Sequence, residues 1–286
     1  MNEFLSHALT PVILIYVVSA MLALGLSQTV SQILEPLRNI RITISVVVAS
    51  YIILPLIAAS ISRLLGLDPS LRYGLVLLAM AAGAEAGPLF TANSNANVRL
   101  SGGILVMSIG ITIFYIPLML GVFLPDVHFA VGHLLLKLLL TIVAPLLLGL
   151  FIKSRFEKIA DHAVHYMHMV SRVFIILLTL LIILLYYKQI IGLLGTYAIL
   201  AGLIYVIAGF GIGYLLGWPE RGTRLAMAYM HGARNASVAV MVANDVFSDL
   251  PNVMLMIALV VMLILVILIP VSYLCRIKPG PVPKLD

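Results

Sequence analysis

Charge is the scarcest commodity in this sequence: of 286 residues only 10% are Asp, Glu, Lys or Arg, while 63% are hydrophobic. A soluble domain carries about a quarter charged residues, because its surface faces water. Too few charges are present to cover such a surface, so lipid is the outer solvent. Cysteine occurs once, at Cys275, which excludes a disulfide framework and a thiolate metal cluster. The first residues, Met1 to His7, lack a basic run and a small-residue cleavage site, so no removable signal peptide is expected. The signatures of hydrolytic chemistry are missing too. There is no Gly-x-Ser-x-Gly, no His-Glu-x-x-His and no pair of aspartates within an apolar segment. Ser237 and His231 share one segment, but their spacing is poor for a catalytic dyad. An intramembrane enzyme is therefore the weakest functional reading, and none of these patterns calls for an organic cofactor.

The net charge of +6 raises the question of a nucleic-acid partner, and the placement of the charges answers it. The basic residues lie in short loops between apolar stretches and form no continuous stripe. That is orientation charge for a membrane protein. A spanning helix needs about 20 mostly apolar residues, and nine segments qualify: 10–27, 41–64, 72–93, 100–124, 129–152, 168–187, 192–217, 224–244 and 252–275. Loops on one side hold Arg38, Arg41, Arg99, Lys153, Arg155, Lys158, Arg221, Arg224, Arg276, Lys278 and Lys284; the other side holds Arg63, Arg72 and Lys188. This asymmetry places the C-terminus in the cytoplasm and, with nine spans, the N-terminus outside. The expectation is a single domain over 1–286, multi-pass in the cell (inner) membrane. Lys137, Arg172 and Arg234 fall inside spans. The first two are near helix ends and can snorkel to the interface, whereas Arg234 is mid-span.

Two segments are unlike the rest. Segment 72–93 contains Ala82-Gly83-Ala84-Glu85-Ala86-Gly87-Pro88, and segment 224–244 contains His231-Gly232-Ala233-Arg234-Asn235-Ala236-Ser237. Superimposed, Gly83 falls on Gly232, Ala84 on Ala233 and Glu85 on Arg234. The two are the third and eighth spans, so they cross in opposite directions. An inverted repeat of about 10–124 and 168–275 follows, with 129–152 as the linking helix. Small residues permit close helix packing, which is the ordinary reading of an isolated glycine pair. Two matched breaks, each carrying a charge, point further, because intramembrane charge is functional by default. Interrupted segments in matching positions of two halves mark a carrier's midplane site. Breaking a helix in hydrocarbon is tolerable only where protein or a wet cavity satisfies the freed backbone groups.

Several stretches carry a family resemblance. They are Met21-Leu22-Ala23-Leu24-Gly25-Leu26-Ser27 through Leu37-Arg38; Thr91, Asn97-Val98, Leu100-Ser101 and Ser108; and Gly232 with Arg234-Asn235 and Val238-Ala239-Val240. Together they resemble the bile acid:sodium symporter family. The resemblance implies an all-α membrane fold with two crossing broken helices in a core domain beside a panel domain. It also implies secondary transport of an organic anion by alternating access. Matched position by position, the family's sodium sites are degenerate here. The glutamate serving both becomes Met230, the nearby glutamine becomes Arg234, and the Ser-Asn pair of the first broken helix becomes Gly87-Pro88. A threonine becomes Leu105, and a glutamine before a proline becomes Ser50. Ser101 and Asn235 are retained. Sodium is the one ion the resemblance brings, and most of its oxygen ligands are replaced.

Three roles for the central charges follow. Arg234 and Glu85 form a permanent strut in place of the ion; or Arg234 binds the anionic substrate with Asn235 and Ser237; or Glu85 or His231 carries a proton. A channel is a further alternative. Thr112, Tyr115 and Tyr229 are further candidates to face the cavity, with packing as the default reading. His162, His165 and His168 have a spacing that could hold zinc, but no cysteine or carboxylate cluster lies nearby and Asp161 is the only close acid; an interfacial segment is the ordinary reading. Asn93, Ser94, Asn95 and Asn97 line a cytoplasmic vestibule or form a polar turn. Substrate identity and oligomeric state leave no mark on the sequence.

Overall fold

The computed structural model describes residues 2–29, 39–127, 129–193 and 196–277, and every regular element among them is a helix. Arg38, Lys278 and Lys284 of the orientation count, and Leu37 of the resemblance, lie outside the described residues. The helices are α1 (Asn2–Ser27), α2 (Ile40–Leu64), α3 (Pro69–Met80), α4 (Gly87–Asn93), α5 (Val98–Phe123), α6 (Val131–Arg155), α7 (Glu157–Leu193), α8 (Ala198–Leu216), α9 (Arg221–Gly232), α10 (Ala236–Val246) and α11 (Pro251–Leu274). Seven of them, α1, α2, α5, α6, α7, α8 and α11, are long and apolar enough to cross a membrane. Segments 72–93 and 224–244 are instead two pairs of shorter helices, α3 with α4 and α9 with α10. At 1.5 Å per residue, none of these four reaches the roughly 30 Å of a hydrocarbon core.

The two largest departures from the expected boundaries are at helix starts. Helix α1 begins at Asn2 rather than residue 10, and α7 begins at Glu157 rather than residue 168. Apolar composition marks only the lipid-facing turns. A helix continues past them where side chains stabilise its end: Lys153 Nζ reaches Glu157 at 3.3 Å and Asp161 at 2.7 Å, tying the start of α7 to the end of α6. The histidine series therefore lies within α7 itself.

Prolines shape α2 and α6. Each contains a π-helical turn, Ala49–Ile53 and Leu139–Val143, immediately before Leu54-Pro55 and Ala144-Pro145. A proline cannot donate to the carbonyl four residues earlier and clashes with it in a regular helix; the widened turn relieves that clash. In α2 the freed carbonyl is that of Tyr51, and it accepts a hydrogen bond from Tyr115 of α5 at 2.5 Å. The break in one helix is thus mended by another.

Packing divides the helices by neighbour. Helix α1 lies along α6 and α7, while α8 lies on α9, α11 on α3, and α2 on α3 and α8. Between α1 and α6 the backbones touch. A Cβ at Gly25 would sit 2.2 Å from the Leu146 carbonyl, and one at Gly149 would sit 2.6 Å from the Leu22 carbonyl. Lipid tails are as apolar as Leu, so close packing of this kind supplies much of the drive for helix association in a bilayer.

Gly149→Val is expected to destabilise the fold by about 1–3 kcal/mol, the usual range for overpacking. Thermal unfolding of the detergent-purified protein would read this as a lowered midpoint, whereas the same change at Gly132, which has open space around it, should leave the midpoint unchanged.

Candidate functional site

The two interrupted pairs meet at their breaks. Helix α3 ends at Met80, and an inverse γ-turn at Ala81 (φ −80°, ψ 76°), closed by Ala82 N donating to the Met80 carbonyl at 3.0 Å, leads to Gly83, where φ is +89°. That conformation suits glycine alone. A Cβ there would also sit 2.9 Å from the Ile109 side chain. Helix α9 ends at Gly232, Ala233 is extended (φ −95°, ψ 164°), and α10 resumes at Ala236. Freed backbone groups at one break find partners at the other or on α5. The Asn235 amide donates to the Ala81 carbonyl at 2.9 Å, and Thr112 Oγ1 lies 3.3 Å from the Ala82 carbonyl. Asn235 Oδ1 caps α10 by accepting from Val238 N at 3.0 Å. Asparagine is a good cap, because its side-chain oxygen replaces the missing carbonyl of the preceding turn.

Thr112 is held from α2. Tyr51 Oη bonds the Ser108 carbonyl at 2.6 Å and lies 3.1 Å from Thr112 Oγ1. Tyr51 and Tyr115 meet edge to face, with ring centroids 4.8 Å apart. Helix α5 is thereby pinned against the π turn that contains the buried Ser50.

Glu85 sits within the first break, partly exposed. Tyr16 of α1 donates to its Oε2 at 3.1 Å, and Ser237 of α10 donates to its Oε1. Ser237 Oγ also lies 3.0 Å from Asn235 Oδ1, and its single proton serves one of these oxygens at a time. Beside Glu85 a cavity of about 240 Å³ opens between α1, α5 and α7, lined in part by Tyr16, Leu105, His168, Ser171 and Arg172.

Arg234 sits within the second break with 4% of its surface exposed. Its Nε donates to Tyr205 Oη of α8 at 2.7 Å. Among the described residues both terminal nitrogens lack a hydrogen-bond partner, as does the side-chain nitrogen of Asn235. The strut between Arg234 and Glu85, one of the three roles weighed for these charges, is therefore not formed. Superimposing the two segments equates positions along the chain, but it does not fix side-chain direction. Glu85 turns to α1 and α10, whereas Arg234 turns to α8.

The remaining candidates divide. His231 is buried, and its Nδ1 lies 2.7 Å from the Met227 carbonyl. A Cβ at Gly87 would lie 2.3 Å from Met230 Sδ, so the thioether is seated directly over Gly87. Pro88 follows in the first turn of α4, where its missing N–H costs nothing. Ser101 bonds back to the Val98 carbonyl at 2.9 Å. The histidines of α7 are not gathered: among the described residues no group of three or more His, Cys, Asp or Glu could hold a metal ion. The Asn93–Asn97 stretch is a tied turn, with Asn97 capping α5 at 3.0 Å and the Ser94 carbonyl accepting from Ile277 N at 2.9 Å. Arg172 lines the Glu85 cavity rather than simply snorkelling, and Lys137 pairs with Asp245 of α10.

Sequence reasoning missed Tyr16 and Tyr205. The signal was present, since both stand mid-span. A tyrosine hydroxyl there needs a polar partner, because hydrocarbon offers none.

A family model described as the Sodium Bile acid symporter family matches residues 14–193. The chain is also 26% identical over 244 residues to YocS of Bacillus subtilis (strain 168), described as an uncharacterized sodium-dependent transporter. That alignment covers 82% of this chain and 74% of the relative. The family match spans more than half of the chain and includes the first break. The chain belongs to the Sodium Bile acid symporter family, a family of membrane transporters.

Gly83→Ala is expected to cost about 1–3 kcal/mol, since it combines a left-handed φ with a close contact to Ile109. A drop in the unfolding midpoint of the purified variant would show it; an unchanged midpoint would mean that the break does not need this conformation.

Proposed function

We propose that this member of the Sodium Bile acid symporter family is a secondary carrier that moves a small organic anion by alternating access, with the fixed charge of Arg234 standing in for a coupled sodium ion. The observation that carries the reading is the meeting of two charged helix breaks beside an open cavity. Interrupted helices of this kind bind solute at their exposed ends in carriers built from inverted repeats. On this reading α3–α4 and α9–α10 each cross the bilayer, giving nine spans. Helices α1 to α5 and α7 to α11 are the two inverted halves, with α6 linking them. The N-terminus faces outward and the C-terminus inward in the cell membrane, as the basic loops indicate.

Sodium coupling is disfavoured by chemistry at the second break. Met230, seated over Gly87, offers a soft thioether where a hard cation wants oxygen. Arg234 adds a like charge. At ~4 Å separation and an effective dielectric of about 20, two unit charges of one sign repel by about 4 kcal/mol. That is enough to lower occupancy roughly a thousandfold. Binding is further opposed by the loss of oxygen ligands at Gly87, Pro88 and Leu105.

The solute is proposed to enter the cavity that holds Glu85, Tyr16, Leu105 and Arg172. The Arg172 guanidinium suits a carboxylate or sulfonate. The Glu85 carboxylate then serves as the movable acceptor whose hydrogen bonds to Tyr16 and Ser237 differ between conformations. The opposite mouth is closed by Lys137–Asp245 and by Asn244 Nδ2 to Thr10 Oγ1 at 3.3 Å. Both contacts join the far end of α10 to α1 or α6. This arrangement fits an inward-open state.

Two outcomes test the reading. In proteoliposomes, preloading with the right organic anion should stimulate saturable counterflow to the same extent in sodium and in potassium salts. Glu85→Gln should lower the rate about tenfold or more, as expected for weakening charged hydrogen bonds. Uptake that requires sodium would overturn the coupling claim, and single-channel current would overturn the carrier claim. Separately, Asp245→Asn should loosen the closed mouth. A cysteine placed at Thr10 should then react faster with an impermeant thiol reagent added from outside; an unchanged rate would remove Lys137–Asp245 as a gate.

A further inference from the structure

The second break holds a concentration of donors with nothing to donate to. Five buried side-chain atoms lack a hydrogen-bond partner among the described residues, and four belong to His231, Arg234 and Asn235. Folded proteins leave few such atoms, and each calls for an explanation. Arg234 Nη1 and Nη2 and Asn235 Nδ2 can only donate. His231 differs: its ring faces the backbone at Met227 and Val46, so it is left out of the donor set.

The charge is unbalanced as well. Glu85 has both oxygens engaged by Tyr16 and Ser237, and Asp245 is held by Lys137. Among the described residues the one hydrogen bond of Arg234 goes to the Tyr205 hydroxyl, and no carboxylate bonds its terminal nitrogens. A guanidinium 4% exposed, with two free amino groups and no carboxylate, is a strongly unfavourable state unless an anion completes it. Asn235 is fully buried. Its Oδ1 is fixed by the α10 cap, which fixes the direction of its free Nδ2 as well. Arg234 and Asn235 are adjacent at a break where α10 begins, and the α10 dipole there favours negative charge.

We propose that Arg234 and Asn235 form a buried binding site for one small anionic group, a chloride ion or a single carboxylate. The family position that the resemblance assigns to a cation then holds the opposite sign. The site rests on the geometry of the second break and not on which solute is carried, so it can fail while the carrier reading stands, and the reverse.

The test is thermal unfolding of the purified full-length protein at constant ionic strength, with chloride or acetate replacing HEPES as a bulky reference anion. The midpoint should rise saturably, by about 3 °C or more, and equally in sodium and potassium salts. A response to chloride assigns the site to an inorganic ion. A response to acetate but not chloride assigns it to a carboxylate. Arg234→Gln should abolish the rise. Because removing a buried charge can itself cost folding, Asn235→Asp is the second probe. It keeps the oxygen that caps α10 but places a negative charge where the donor was, and it should also lose the response. A midpoint indifferent to the anion, one that distinguishes sodium from potassium, or a native-sized response in either variant would overturn the proposal.

Discussion

The architecture depends on one constraint: backbone groups freed by breaking a helix in lipid have no water to turn to. Two breaks placed against each other solve the problem jointly. The Asn235 amide satisfies the Ala81 carbonyl, Thr112 lies against the Ala82 carbonyl, and Asn235 caps α10 with its side chain. Thr112 is positioned in turn by Tyr51, and the Tyr51 carbonyl, set free by Pro55, is satisfied by Tyr115. A chain of local repairs thus links α2, α5 and both breaks. Each part of the irregular backbone depends on the next.

Charge is then laid onto this frame asymmetrically. Glu85 faces the cavity through Tyr16 and Ser237, while Arg234 faces the packed interior through Tyr205. Had the two paired with each other, the site would be neutral and closed. Kept apart, each retains unused hydrogen-bonding capacity. Glu85 is exposed enough to exchange partners as the helices move, and Arg234 is a permanent cation in the interior. This division gives Glu85 the dynamic part and Arg234 the electrostatic part of the proposed transport cycle.

Much of this was legible in the sequence, and the reasons differ by feature. Hydrophobic length marked seven uninterrupted helices because lipid imposes it directly. Small residues and a charge in mid-segment marked both breaks, since a regular spanning helix has no use for either. Side-chain partners were not legible. The Glu85–Ser237 and Arg234–Tyr205 contacts join residues far apart in sequence, and aligning the two segments pointed instead to a Glu85–Arg234 pair that does not form. Lys137 was read as snorkelling because its distance from the helix end allowed it. Asp245, distant in sequence and at the end of α10, supplied a nearer partner.

The central claim is that a fixed guanidinium occupies the place of a mobile cation. Equilibrium binding of radioactive sodium to the purified native protein, followed by scintillation proximity over the millimolar range, tests it most directly. The account predicts no saturable sodium binding, because Arg234 repels the ion and Met230, Gly87, Pro88 and Leu105 do not ligate it. Saturable binding of sodium that choline or potassium does not displace would contradict it.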